Sequence, residues 1–242
     1  ELIKNVTDTF EKSIVLLNVG NIIDMKWTDE YKPSAVMYVW QGGQEGGNGV
    51  VDVLTGRVCA CGKLTDTIAG SIKDYPSASD FGDPEKNFYK EDIYVGYRYF
   101  ETFAKEKVLY PFGYGLSYTT FDIKADITAN THESLTVEAE VVNTGTVRGK
   151  EVVQLYVKVR QGSMGNPERK SVGFAKKGEI KQGEEEKIVL TVPKYYMASY
   201  DDSGVTGYKS CYVLEEGMYE IFAGADVRSA RSSGNWHEDF RV

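Results

Sequence analysis

The sequence predicts two kinds of architecture in one chain, α/β followed by all-β, and three observations carry that expectation. Within residues 1–70, near-continuous apolar runs alternate with stretches of helical periodicity, the pattern of parallel strands buried on both faces. From Thr119 onward, short runs alternate apolar and polar residues and turn residues separate them, as in half-buried strands. Between the two, residues 71–118 hold three of the six prolines and many aromatics, with little periodicity.

A chain of 242 residues accommodates two domains of roughly 100 to 130 residues, each able to bury a core. The composition shifts divide it into 1–118 and 119–242. The chain is 41% hydrophobic and 26% charged, and no apolar run approaches the roughly 20 residues of a membrane helix, so no membrane partner is expected. Net charge is -8, with 12 basic against 17 acidic residues in 1–118 and 16 against 19 in 119–242. Neither part has the basic excess that nucleic acid requires. The three cysteines, Cys59, Cys61 and Cys211, are too few for a disulfide framework, and reduced thiols in a cytoplasmic setting are expected.

Leu2, Ile3, Val6 and Phe10 stand at helical spacing and predict an amphipathic helix over 1–13. Ile14–Val19 reads as a buried parallel strand stopped by Gly20 and Asn21, and Ala35–Trp40, after Pro33, as a second. Five glycines follow between Gly42 and Gly49. A short helix starts at Glu45 or Gly46, carries Val50, Val51, Val53 and Leu54, and ends at Gly56. Leu64–Ile68 is the third predicted strand. Three strands are few for such a sheet, so 1–70 reads as the end of a domain that begins elsewhere. Residues 71–118 are too aromatic for a disordered linker and read as an ordered wrapping segment. Beyond them, the runs at Leu135–Val141, Glu151–Val159, Lys187–Val192 and Met218–Gly224 are separated by turns at Asn143–Gly145, Gly162–Pro167 and Lys181–Gly183. About seven strands in such a span, with no cysteine pair across them, predict a β-sandwich of fibronectin type III-like form.

The glycine cluster invites a phosphate-binding reading, which its details oppose. No Lys-Ser/Thr follows it, Asp52 stands where a third fingerprint glycine belongs, and the Glu45 carboxylate would repel phosphate. The glycines are instead expected to let the chain leave a buried strand tightly and to let the helix start press against neighbouring backbone. His132 and His237 have no metal-ligand partner at helical spacing and read as surface residues. Gly115–Thr119 lacks the last glycine of a nucleophile elbow. Asp201–Gly204 is a loop tip too short for calcium, Cys59-Ala-Cys61 is neither a redox pair nor half a zinc site, and Asn5-Val-Thr7 lies within a helix. No cofactor and no metal are expected.

Several motifs then fall in one order. Gly43–Asn48, Val51–Gly56 and Gly62–Thr65 resemble the GQEGGNALADVLFGxxxPSGKLP segment of glycoside hydrolase family 3. Tyr94–Phe100 and Tyr110–Thr119 are similar to its YVGYRYY and YPFGYGLSYT, and Val142–Gly145, Gly149–Val157 and Tyr219–Arg228 to its fibronectin-like domain. The resemblance implies part of a retaining β-glucosidase-like enzyme acting on β-glucosides or oligosaccharides, in which one carboxylate attacks the anomeric carbon and a second protonates the leaving oxygen. It also implies that the nucleophile belongs to a (β/α)8 barrel and the acid/base to a segment upstream of Ile14–Val19. Neither is expected here, so no residue receives a catalytic role, substrate-binding residues are unassigned, and the chain alone is expected to be inactive. Glu45 is expected to serve the helix start. Ala60–Thr65 departs from the Pro-Ser-Gly-Lys-Leu-Pro common in the family, and Thr65–Ala69 resembles members of inverted domain order, which would place the barrel after Val242. A non-catalytic fibronectin-like module is the alternative reading, in which Tyr195, Tyr196 and Tyr200 stack on sugar rings; core packing and loop anchoring are the favoured roles for these three.

Overall fold

The structure is a computed structural model describing residues 1–242. Helix α1 spans Leu2–Thr9 and stops short of the predicted thirteenth residue. Thr7 and Thr9 turn their hydroxyls back onto the carbonyls of Ile3 and Asn5, a contact that weakens helix continuation, and Phe10 is already extended. Strand β1 (Ile14–Leu17), helix α2 (Trp27–Tyr31) and strand β2 (Ala35–Tyr38) follow. β1 and β2 pair in parallel, Ile14 opposite Ala35 and Leu17 opposite Tyr38. Leu17, Met25 and Ile68 form the buried centre of this unit, with Val15, Trp27, Val36 and Tyr38 packed around them. The opposite face of β1 is bare: Ile14 and Leu16 are exposed.

Helix α3 (Gly46–Leu54) begins and ends where the sequence predicts. The third predicted strand differs. Residues 64–67 are irregular, and β3 (Ile68–Ala69) pairs antiparallel with β4 (Val108–Tyr110) in a separate two-stranded ribbon, so the parallel sheet has two strands. The partner lies some 40 residues downstream, beyond the reach of a local pattern. Helix α4 (Tyr97–Phe103) lies between them, and Phe100, completely buried, packs with Ala69 and Ala104.

The remaining strands are β5 (Phe121–Asn130), β6 (Ser134–Asn143), β7 (Val152–Lys158), β8 (Lys170–Lys176), β9 (Glu185–Pro193), β10 (Ser199–Asp201), β11 (Cys211–Val213), β12 (Gly217–Gly224) and β13 (Arg231–Glu238). Seven of them make two sheets, β5-β6-β9 and β13-β12-β7-β8, and β10 and β11 form a separate hairpin. Each inner face follows the period of two. Leu135, Val137, Ala139 and Val141 of β6 are buried opposite Val153, Leu155 and Val157 of β7 and Tyr219, Ile221 and Ala223 of β12, in one core that Trp236 completes. The chain is thus a partial parallel-sheet α/β unit joined to a fibronectin type III-like sandwich.

One strand breaks the alternation. In β7, Gln154 and Tyr156 are buried although they point away from the core, because residues 97–113 lie across them. Tyr97 stacks on Phe112 at 4.5 Å, and both rings meet Tyr156 edge-on at 6.3 and 6.4 Å. Gln154 Nε2 donates to the carbonyls of Gly113 (3.2 Å) and Ala225 (2.5 Å), while its Oε1 accepts from the Tyr156 hydroxyl at 2.6 Å. Gly113 is required here: its φ is +82, and a Cβ would stand 2.3 Å from Gln154 Oε1.

Candidate functional site

The glycine-rich stretch forms the turn from β2 into α3. A Cβ on Gly42 would approach Gly46 Cα to 2.9 Å, so the tight exit expected of these glycines is present. The same contact sets the Gly42 backbone against the first residue of α3, so the close approach expected at the helix start is made there, whereas a Cβ on Gly46, Gly47 or Gly49 would meet nothing within 4 Å. Glu45 sits at the N-cap position of α3 without accepting a backbone N–H; its carboxylate takes the Asn48 amide instead. Its place at the positive end of the helix is the expected one, and its partner is a side chain. No phosphate cradle forms, since the only charge at the turn is negative.

The other singled-out residues remain apart. His132 is exposed and pairs with Glu133, while His237, also exposed, faces Glu216 and Asp239 only at 3.9 and 3.8 Å. All three cysteines are free; Cys59 Sγ lies 3.0 Å from Ser117 Oγ. Asp201 is more than a loop tip. Its carboxylate accepts from the backbone N–H groups of Gly204, Val205 and Thr206 and from the hydroxyls of Ser203 and Thr206. Desolvation pushes its pKa up, but the bonds from Thr206, Gly204 and Val205 outweigh it and hold the group well below the usual carboxylate range. No group of three or more His, Cys, Asp or Glu stands close enough to hold a metal ion.

Buried carboxylates are the first place to look for acid/base chemistry, and here they are engaged. Glu101 receives Arg228 Nε at 2.9 Å, a bond that ties α4 to the turn after β12. Glu151 pairs with Lys63 at 2.8 Å. Glu238 holds Lys194 at 2.7 Å, the Trp236 indole N–H at 2.9 Å and the Arg241 guanidinium. Glu215 accepts the Ser163 N–H at 2.7 Å through Oε1, leaving Oε2 without a partner. Burial pushes the Glu238 pKa up, and the bonds from Lys194 and Trp236, with the charges of Lys194 and Arg241, carry it below its ordinary value. A general acid needs the reverse displacement.

Of the shallow clefts on the surface, two border these buried carboxylates. One, of about 270 Å³, is lined by Glu101, Lys105, Arg169, Val227 and Arg228, beside the stack of the Arg169 guanidinium on the Phe222 ring at 3.4 Å. The other, of about 460 Å³, lies between the Arg160–Ser163 turn, Val205, Thr206, Glu215 and Phe240. Four exposed tyrosines converge elsewhere. Tyr212 contacts Tyr195 at 4.9 Å and Tyr200 at 5.1 Å, and Tyr196 lies 6.3 Å from Tyr195. The sequence singled out three of these rings and missed Tyr212. The signal was present, since five tyrosines fall between Tyr195 and Tyr212.

Comparison with known proteins accounts for the order of these parts. The glycosyl hydrolase family 3 C-terminal domain matches residues 1–118, and the fibronectin type III-like domain matches residues 151–227. A β-glucosidase of Ruminococcus albus is 50% identical over 95% of this chain, and β-glucosidase A of Butyrivibrio fibrisolvens is 41% identical over 96%. The crystal structure of a β-glucosidase from Paenibacillus barengoltzii superposes on 98% of the chain with a TM-score of 0.90 at 46% identity. The chain spans only 24% and 30% of the two curated relatives and 28% of the crystallised one, and no (β/α)8 barrel is among its elements. The β2-to-α3 glycine turn, the stapled sandwich and these matches agree: the chain belongs to glycoside hydrolase family 3, of which it carries the C-terminal domain and the fibronectin type III-like domain that follows it.

Proposed function

We propose that this chain is the non-barrel part of a retaining β-glucosidase, serving β-glucosides or oligosaccharides through a (β/α)8 barrel supplied by the remainder of a longer protein. The observation that carries the reading is the 50% identity to a β-glucosidase across almost the whole chain, together with the matching fold at a TM-score of 0.90. Neither the nucleophile nor the acid/base belongs to residues 1–242. This is supported by the engagement of the buried carboxylates in structural pairs and by the depressed pKa of Glu238. The division into 1–118 and 119–242, with 71–118 as the wrapping segment, is part of the same proposal, and so is a cytoplasmic setting, which the free thiols favour. The contribution of this chain is architectural: it offers Ile14, Leu16, Val51 and Leu54 as uncovered apolar surface to the rest of the enzyme.

The test is aryl-β-glucoside hydrolysis by two purified proteins, the 242-residue chain and a longer protein containing it. Turnover by the longer protein and none by the chain is expected. Turnover by the chain that disappears on substituting one of its own carboxylates overturns the assignment.

A further inference from the structure

We infer that Tyr195, Tyr200 and Tyr212, with Tyr196 at their margin, form a binding surface for a β-glucan chain. The rings are about half exposed, at 57, 51, 47 and 56% respectively, although each buries well in an ordinary core. They are also held still from beneath. Tyr195 and Tyr196 occupy a single 3₁₀ turn, Lys194–Met197, whose end residues are buried while its two middle residues face outward. Lys194 is pinned by Glu238 at 2.7 Å, and Met197 is 1% exposed within the sandwich core. Tyr200 and Tyr212 are direct cross-strand partners in the β10–β11 hairpin, and that hairpin is closed by the five bonds to the Asp201 carboxylate. Two buried polar networks thus fix four exposed rings, which lowers the ordering cost of anything that docks on them.

The chemistry of the patch selects its occupant. None of the four phenols takes part in an ion pair, and the one cation stacked on an aromatic ring in this chain lies at Phe222, elsewhere. A charged ligand therefore finds no counter-charge among the rings, while a neutral one loses nothing. Each ring of the patch has an apolar face and a hydroxyl rim, which matches a pyranose with C–H groups on its faces and hydroxyls around its edge. The positively polarised C–H groups meet the negative face of the ring quadrupole. The choice of a β-linked glucose polymer among neutral polysaccharides rests on the proposed β-glucosidase reading.

Native affinity electrophoresis of the 242-residue chain in gels containing barley β-glucan tests this, with dextran gels as the α-linked control. Retardation in the β-glucan gel alone is expected. Tyr200→Ala and Tyr212→Ala should each weaken the apparent affinity about 2- to 12-fold, the range one aromatic contact supplies, and the triple Tyr195→Ala/Tyr200→Ala/Tyr212→Ala variant should migrate as in a plain gel. Tyr212→Phe keeps the ring and should keep the retardation; its loss to the extent seen in Tyr212→Ala overturns ring stacking. Far-UV circular dichroism confirms that each variant is folded, and Tyr200→Ala serves if the triple is not. Absence of retardation, or retardation equal in dextran, overturns the proposal. Either result leaves the β-glucosidase reading standing if the longer protein hydrolyses aryl β-glucosides; no hydrolysis with retained retardation overturns that reading alone.

Discussion

Substituting Lys194 by Met removes the ammonium from one of the most enclosed ion pairs of the chain. The side chains of Lys194 and Glu238 are 7% and 6% exposed, and their charged atoms are 2.7 Å apart. Removing one partner of such a pair costs about 3–5 kcal/mol, chiefly because the remaining charge stays desolvated. Glu238 keeps the Trp236 N–H and Arg241, so the cost falls toward the lower end, about 2–4 kcal/mol. Urea unfolding followed by fluorescence, in a Trp27→Phe/Trp40→Phe background that leaves Trp236 as the reporter, should show this as a midpoint lowered by about 0.7–4 M, given slopes of about 1–3 kcal/mol per M. The pH dependence adds a second reading. Glu238 is depressed in the folded protein, so its contribution is complete above the unfolded carboxyl pKa of about 4.3 and disappears as pH falls through the lower folded value. Without Lys194 the folded pKa moves up toward the unfolded value, so the part of the acid-induced stability loss that this carboxyl supplies should shrink and the pH profile below about 4 should flatten. Lys194→Met/Glu238→Gln removes both charges of the pair and should recover part of the loss. A single variant costing under about 1 kcal/mol, or a double variant no more stable than the single, refutes the argument.

Three further expectations follow from other contacts. Gly113→Ala, at φ +82 and 2.3 Å from Gln154 Oε1, should destabilise by about 2 kcal/mol or more through left-handed strain and displacement of Gln154, read as a lowered thermal midpoint. Asp201→Ala leaves three backbone N–H groups without their acceptor and should open the loop after β10 to limited proteolysis, because those donors lose their bonds while the loop stays folded; an unchanged digestion pattern contradicts that role. Lys170 is pushed down to about 8 by burial first and by Arg98 second, so the folded state binds fewer protons than the unfolded one between about pH 8 and 10. Stability attributable to this group should rise across that window, and Lys170→Met should be relatively more stable at pH 7 with a flatter profile, checked by urea titrations at the two ends.

Much of the fold is legible in the residues because most of it is local. The period of two from Leu135 to Val141 becomes the buried face of β6 residue by residue, and Gly56, at φ +72, stops α3 as a glycine after an apolar run should. What the sequence hid depends on distant partners. β3 owes its existence to β4, and α2, five residues long, is too short to show a helical period. β7 looks half-buried in sequence, yet Tyr156 is enclosed on its outer side by Tyr97 and Phe112. The apolar pattern of β1 fits a strand covered on both faces, whereas Ile14 and Leu16 are exposed in these 242 residues. The functional reading came from motif order rather than from a constellation of reactive groups, and the aromatic surface became visible only when pairing of β10 with β11 set Tyr200 beside Tyr212.

The staple across β7 also sets a timetable for synthesis. Tyr97 and Phe112 leave the ribosome well before Phe222, the β12 ring with which they and Tyr156 share a small core. Some 110 residues separate Phe112 from Phe222, which at about 5–20 residues per second is a delay of roughly 5–20 s. For that interval a pair of stacked rings waits in the open beside an unfinished sheet. Nascent chains stalled between residues 120 and 220 should therefore recruit hydrophobic-binding chaperones more strongly than those released after β12, and the vulnerable moment of this protein comes during its translation.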